Sequence, residues 1–479
     1  MHCKNSAGFL MGEESAFCGI IGQNPKSMIK INILKKIKEK KGLLLTALIV
    51  ICVVSLGYYH DRRTCWGSND FDTYYFAGKL VLLKTNLYTH EAFKTTLSPF
   101  LYLPFFATLI APAALLNIRI AAAIWYMFNV LALAGAFYLA VRLVAGGEKP
   151  GPVFFKRPYL LRIISGVVLI GAWLDNVSLA QVDFMIFFLI LLSLFAHEKK
   201  KRFISGIILA AASVIKIYPC LFLLYFLAKR RFKAAAGFFV GILLFLFVIP
   251  WTVMGGANFS DSMKSWMEIR AAPHLSGGGD SAKVNYARFE SQFKPSNQSF
   301  SAAMVRYLTR DEDDGVILFW KTQDFKYDIP LPHPLTPRQV DILIKVLLLL
   351  IFSATFSVLD YRLIYGDRLY LSLEYSLIFL CMILFFPVAQ THMLASIIFP
   401  VIVFNYAKTK SGARFMYGSR WMEIVFLGAV ILYFAQADRY MKILGAGAFS
   451  ILLLWILFIS MLIKERAERG KKSRNFPFA

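Results

Sequence analysis

The chain has 479 residues, and 53 Lys+Arg against 29 Asp+Glu give a formal net charge of +24. Apolar residues make up 58 % and charged residues 17 %, against about 25 % charged in an ordinary soluble protein, so a set of soluble domains lacks the polar surface it needs. An aromatic share of 15 % excludes collagen-like and disordered chains, which leaves an all-α polytopic membrane protein whose apolar surface is covered by lipid.

Residues 1–27 lack the basic-then-apolar order of a signal peptide. Residues 1–42 read as a basic extension, with Lys35, Lys36, Lys38, Lys40 and Lys41 running up to the first apolar stretch. Similar basic runs at 199–202 and 229–233 and in the tail 464–479 flank other apolar segments. Such runs orient a chain in a membrane by the positive-inside rule. They predict contact with anionic membrane lipids and no nucleic-acid partner.

A span needs about 20 apolar residues to cross the hydrocarbon. Segments 43–59, 120–144, 234–254, 341–359, 372–387 and 441–463 suit that requirement; 100–116, 160–174, 181–196, 203–228, 388–406 and 423–437 do so less regularly. The expectation is a transmembrane helical bundle of about ten to twelve helices over 43–463, several of them broken or short. Basic residues at both ends place both termini in the cytoplasm, so the loops near 60–98 and 255–340 fall on the external face. Charge does not set the parity within 117–160, where Arg119 conflicts with the Lys156/Arg157 pair. The six cysteines show neither a disulfide framework nor a zinc spacing.

Two apolar stretches are interrupted by polar residues. Lys216-Ile217-Tyr218-Pro219 divides 203–228, and Asp175, Asn176, Gln181 and Asp183 divide 160–196. Proline cannot donate to the helix ladder, and a charged residue within a span marks a polar cavity or a functional site. Lys216 reads either as a lysine snorkelling to the interface or as a contact for an anionic group.

The first external loop holds Asn69-Asp70-Phe71-Asp72-Thr73-Tyr74-Tyr75-Phe76-Ala77-Gly78 and then Leu87-Tyr88. A carboxylate among aromatics near a membrane can serve as a general base with a raised pKa. The alternative is a solvated acidic loop beside an interfacial aromatic belt. The Asp70/Asp72 pair alone makes a weak metal site, and no metal is assigned. Further along come Tyr102-Leu103-Pro104-Phe105, Ala180-Gln181-Val182-Asp183, Asn297-Gln298-Ser299-Phe300 followed by Arg306, and His392 inside a late apolar run. Asn176, Asn258 and Asn297 each lie in an Asn-x-Ser sequon, a pattern common by chance.

In order and spacing, from about residue 45 to about 405, these motifs resemble glycosyltransferase family 87, the polyprenyl-phosphate-mannose-dependent mannosyltransferases of the GT-C superfamily. The chain departs from the family pattern at Phe105, where a second proline is usual, and at Ala180 and Asp183, where glycine and asparagine are usual. The resemblance implies a multi-pass protein of a bacterial plasma membrane, with its active site on the external face and no cofactor. It implies a polyprenyl-phosphate sugar as donor, a lipid or envelope glycan as acceptor, and transfer with inversion. Asp70 matches the general base. Asp72, Tyr74, Tyr75, Tyr102 and Gln181 are then substrate contacts, and Lys216, Asn297, Gln298, Arg306 and His392 stabilise the phosphate leaving group. A transporter or lipid flippase is the rival class, because it too would carry broken helices and buried charge.

Overall fold

The computed structural model describes residues 70–95, 97–146, 173–271, 296–309, 335–360, 368–410 and 420–475, all within the compact unit His60–Ala479. The expected first span 43–59, the N-terminal extension and nearly all of 160–174 lie outside the described residues. Within them the protein is helical throughout, as its apolar composition demands, since backbone groups in lipid must be satisfied within their own segment.

The helices that carry the site are α1 (Asp70–Leu82), α2 (Pro104–Ile110), α3 (Ile118–Ala145), α4 (Asp183–Glu198), α5 (Arg202–Ile215), α6 (Leu221–Ala228) and α7 (Phe232–Leu243). They are followed by α8 (Phe300–Leu308), α9 (Pro337–Val358), α10 (Arg368–Leu384), α11 (Ile398–Lys410), α12 (Arg420–Ala435) and α13 (Ala446–Asn475). Among the described residues, five helical stretches are long and apolar enough to cross a membrane: Ile118–Ala145, Phe232–Met254, Arg338–Val358, Thr391–Lys408 and Ala446–Ala467. The chain is a helical membrane bundle.

The segment expected as a span at 100–116 is instead α2, seven residues long, followed by a 3-10 turn at Ala113–Leu115. Two prolines account for this. Pro104 opens α2 where a missing N–H does no harm, and Pro112 withholds the donor that would continue it. The loop expected around 60–98 likewise contains a buried helix, α1.

Helices α3, α4, α10 and α11 make the centre, and α10 is buried continuously from Tyr370 to Leu384. An apolar helix enclosed on all sides tolerates a charge only with a partner. Its Glu374 meets Lys229 Nζ at 2.8 Å, accepts the Tyr225 hydroxyl at 2.8 Å and accepts the Asp360 amide at 2.9 Å.

Helices α4, α5 and α7 pack side by side through small residues. Ser193 Oγ on α4 donates to Ser205 O on α5 at 2.8 Å. Gly206 of α5 lies directly against the Ala234 carbonyl, and Gly237 of α7 against the Phe203 carbonyl, so a Cβ at either glycine would overlap backbone. Close helix approach through small residues is the usual packing mode where lipid removes the hydrophobic driving force.

Candidate active site

The site is built on the turn between residues 176 and 183. Ala180 occupies the left-handed region with φ 54°, a conformation that glycine adopts without strain. This accounts physically for the glycine usual at that position in the family pattern. The turn is pinned from two sides: Gln181 N donates to Asn176 O at 3.0 Å, and Trp125 Nε1 of α3 donates to Ala180 O at 2.9 Å.

On one side of the turn, Gln181 reaches α1. Its Nε2 donates to Asp70 Oδ2, and its Oε1 accepts the Tyr74 hydroxyl at 3.3 Å. Asp70 and Tyr74 are four residues apart on α1 and so share a face. The Tyr74 and Tyr102 hydroxyls meet at 2.9 Å, and the Tyr74 ring packs edge-on against Tyr102, Phe106 and Trp125. Burial raises the Asp70 pKa above 3.8; the Lys216 ammonium opposes the rise, Asp183 adds to it and the Gln181 hydrogen bond opposes it.

On the other side of the turn, Asp183 opens α4. Its two oxygens accept Lys216 Nζ at 3.0 and 2.8 Å, and Oδ1 also accepts the Tyr218 hydroxyl at 2.8 Å. His392 Nε2 stands 3.5 Å from Asp183 Oδ2, and its Nδ1 lies 3.9 Å from Asp175 Oδ2. Asn176 Nδ2 holds the His392 backbone carbonyl at 3.0 Å. Lys216 sits in extended conformation at the end of α5, and Pro219 in the 3-10 turn that follows keeps α5 and α6 from forming one helix. The lysine expected either to snorkel or to meet an anion is therefore held on a buried carboxylate.

The structure thus gathers Asp70, Tyr74, Tyr102, Gln181, Lys216 and His392 around one turn, from segments far apart in sequence. Asp72 and Tyr75 share helix α1 but not this cluster. Successive residues on a helix are about 100° apart, so Asp72 points some 200° away from Asp70. Asp72 is buried with no hydrogen-bond partner for either oxygen among the described residues, and burial pushes its carboxyl up to about 6. Tyr75 donates to Leu116 O at 2.7 Å.

Asn297, Gln298 and Arg306 bond to backbone. Asn297 Oδ1 accepts the amides of Ser299 and Ala389, each at 3.1 Å, and its Nδ2 donates to Pro387 O at 3.1 Å. Gln298 donates to Lys442 O at 2.8 Å and accepts the Gly447 amide at 2.9 Å. Arg306 donates to Ile443 O and Asn297 O, each at 2.9 Å. Together they fasten α8 to the segment 387–389 that leads into His392, and to the turn before α13.

Sequence reasoning did not anticipate Asp183 and Tyr218 as the partners of Lys216. Tyr218 lies inside the Lys-x-x-Pro break, so its place beside the lysine was available as a signal. The Asp183 pairing bridges 33 positions, and no local pattern reports it.

Bundle and site define an integral membrane protein with a carboxylate and an ammonium assembled at a polar break in its helices. The chain belongs to Glycosyltransferase family 87, whose sequence model matches residues 100–387. The matched region begins after Asp70 and ends before His392. One curated relative, the polyprenol-phosphate-mannose-dependent alpha-(1-2)-phosphatidylinositol pentamannoside mannosyltransferase of Mycobacterium tuberculosis (strain CDC 1551 / Oshkosh), is 28% identical over 138 residues. That alignment spans 29% of this chain and 30% of the relative. No solved structure matches the chain.

Proposed function

We propose that this protein transfers a sugar, mannose, from a polyprenyl-phosphate donor to a lipid or envelope glycan acceptor at the external face of a bacterial plasma membrane, with inversion. The observation that carries the reading is the placement of Asp70 and Lys216 on opposite arms of the 181–183 turn. A base and a cation facing one space are what a single displacement at an anomeric carbon requires. The acceptor oxygen attacks that carbon, its proton passes to Asp70, and the bond to the phosphate oxygen breaks with its electron pair leaving on polyprenyl phosphate.

The charge on the departing phosphate is met by fixed donors rather than by a general acid. Lys216 supplies the donor capacity of its ammonium not taken by Asp183, and His392 lies beside it. The half-buried Tyr102 ring offers an aromatic face to the sugar or the first isoprene units, and the buried Tyr74 supports it through their hydroxyl contact. Asn297, Gln298 and Arg306 act on the site by holding the segment that presents His392, and Tyr75 by seating α1 against Leu116.

The donor class is tested by offering the purified, reconstituted protein polyprenyl-phosphate mannose and, separately, a nucleotide-activated mannose. Transfer from the lipid-linked donor alone is expected. Transfer from the nucleotide sugar alone would overturn the reading.

A further inference from the structure

We infer that Asp183 is a positioning residue for transfer: it fixes the Lys216 ammonium relative to the Asp70 base through the rigid turn it shares with Gln181. The inference rests on the function proposed above and goes beyond it.

Gln181 and Asp183 are two residues apart, and each engages one of the two charged groups. Gln181 is bonded to Asp70, and Asp183 takes Lys216 on both oxygens. The turn between them cannot slide, because Trp125 and Asn176 bond to it and Ala180 is held in the left-handed region. Asp183 is itself fixed: its side chain is 2% exposed, it opens α4, and it receives the Tyr218 hydroxyl as well as the ammonium.

An ammonium has three donors. Both Asp183 oxygens lie within hydrogen-bond distance of Lys216 Nζ, which fixes the ammonium's position and turns its remaining donor capacity away from Asp183, and the Lys216 side chain retains 15% exposure through which a ligand can reach it. The lysine alone could swing on four rotatable bonds. Held against both carboxylate oxygens, its ammonium stands in one place, at a distance from Asp70 set by the turn. Donor oxygen and acceptor oxygen must lie on opposite sides of the anomeric carbon for in-line displacement, so this spacing governs turnover more than affinity. A misplacement of about 1 Å lowers such a rate by about 10²-fold.

The test is a double-mutant cycle on the full-length protein, read both in transfer kinetics and in binding of undecaprenyl phosphate by intrinsic tryptophan fluorescence. Asp183→Asn, which retains one oxygen and is the residue usual in the family pattern, should be the milder variant; Asp183→Leu keeps the bulk but removes both oxygens that hold Lys216. The expected result is a kcat lower by about 10- to 10²-fold with the donor KM within about threefold of wild type. Lys216→Met lowers kcat and weakens undecaprenyl phosphate binding. The double variant should then equal Lys216→Met alone, because Asp183 acts through the lysine.

Where Lys216→Met is unstable with Asp183 left unpaired, Lys216→Gln, which still donates one hydrogen bond, takes its place in the cycle. Asp183→Leu with wild-type kcat, or losses that add independently in the double variant, would overturn the inference. A wild-type protein that binds undecaprenyl phosphate yet transfers no sugar would instead sink the proposed function. That outcome removes the inference along with the reading it rests on, whereas a wild-type protein that transfers sugar while Asp183→Leu keeps full kcat removes the inference alone.

Discussion

Asp70 stands at the first turn of α1, where the helix dipole favours a negative charge, and burial works against that charge. The balance matters because a general base must be ionised to act. With its pKa above 3.8, Asp70 gains a proton on acidification before an ordinary aspartate does. Turnover should therefore fall as pH drops, at a pH above the normal carboxylate range, and a profile flat down to about pH 4 would contradict the assignment. Asp72 shows the same physics without a partner. Its folded-state pKa of about 6 exceeds the ordinary 3.8, so its ionisation opposes folding once the pH passes 3.8, and fully so above 6. Asp72→Asn should then raise the melting temperature relative to wild type at pH 8, with the gain shrinking towards pH 5; a gain independent of pH would show that ionisation is not the cause. The two carboxylates diverge on α1, and no group of three His, Cys, Asp or Glu side chains among the described residues is placed to hold a metal ion. Transfer should accordingly survive EDTA, and activity lost to chelation and restored by Mn²⁺ or Mg²⁺ would recast Asp70 and Asp72 as ligands.

At the scale of elements, the site depends on helices whose packing leaves no slack. Helix α5 ends at Lys216 and is pressed against α7 through Gly206 and Gly237. Gly206→Val should drive the two helices apart, lower the melting temperature and reduce transfer by displacing Lys216; an unchanged melting temperature would show that the contact is compliant. The Lys229–Glu374 pair ties the turn after α6 to the central helix α10, with side chains 2% and 0% exposed. Glu374→Gln leaves a buried ammonium short of its counter-charge, which destabilises by about 3–5 kcal/mol, readable as thermal unfolding in detergent. Combining it with Lys229→Met should recover much of that loss. These two features differed in legibility. The Gly-x-x-x-Gly spacing at Gly237 and Gly241 is written in the sequence, whereas nothing local announces that Lys229 and Glu374 are partners across 145 positions.

At the scale of the whole molecule, the helical membrane class followed from composition, and the polar breaks at 175–183 and 216–219, where charge in an apolar run needs a reason, meet in one cluster. The motif resemblance singled out Asp70, Gln181, Lys216 and His392 for the same cluster. The sequence could not separate side chains that join this cluster from those that bond to backbone. Asn297, Gln298 and Arg306 are polar residues in a motif-bearing loop, and only their geometry reveals that they fasten Ala389, Pro387, Lys442 and Ile443. The segment 100–116 misled for a related reason: its apolar content suits a span, but Pro112 ends the helix. The most direct measurement is transfer of radiolabel from polyprenyl-phosphate mannose by vesicles carrying wild-type protein or Asp70→Asn. The account predicts label in a glycosylated acceptor with the wild type, and a rate about 10²–10⁴ lower with Asp70→Asn despite retained donor binding. Label that crosses the bilayer without joining an acceptor, or an Asp70→Asn protein that turns over normally, would contradict it.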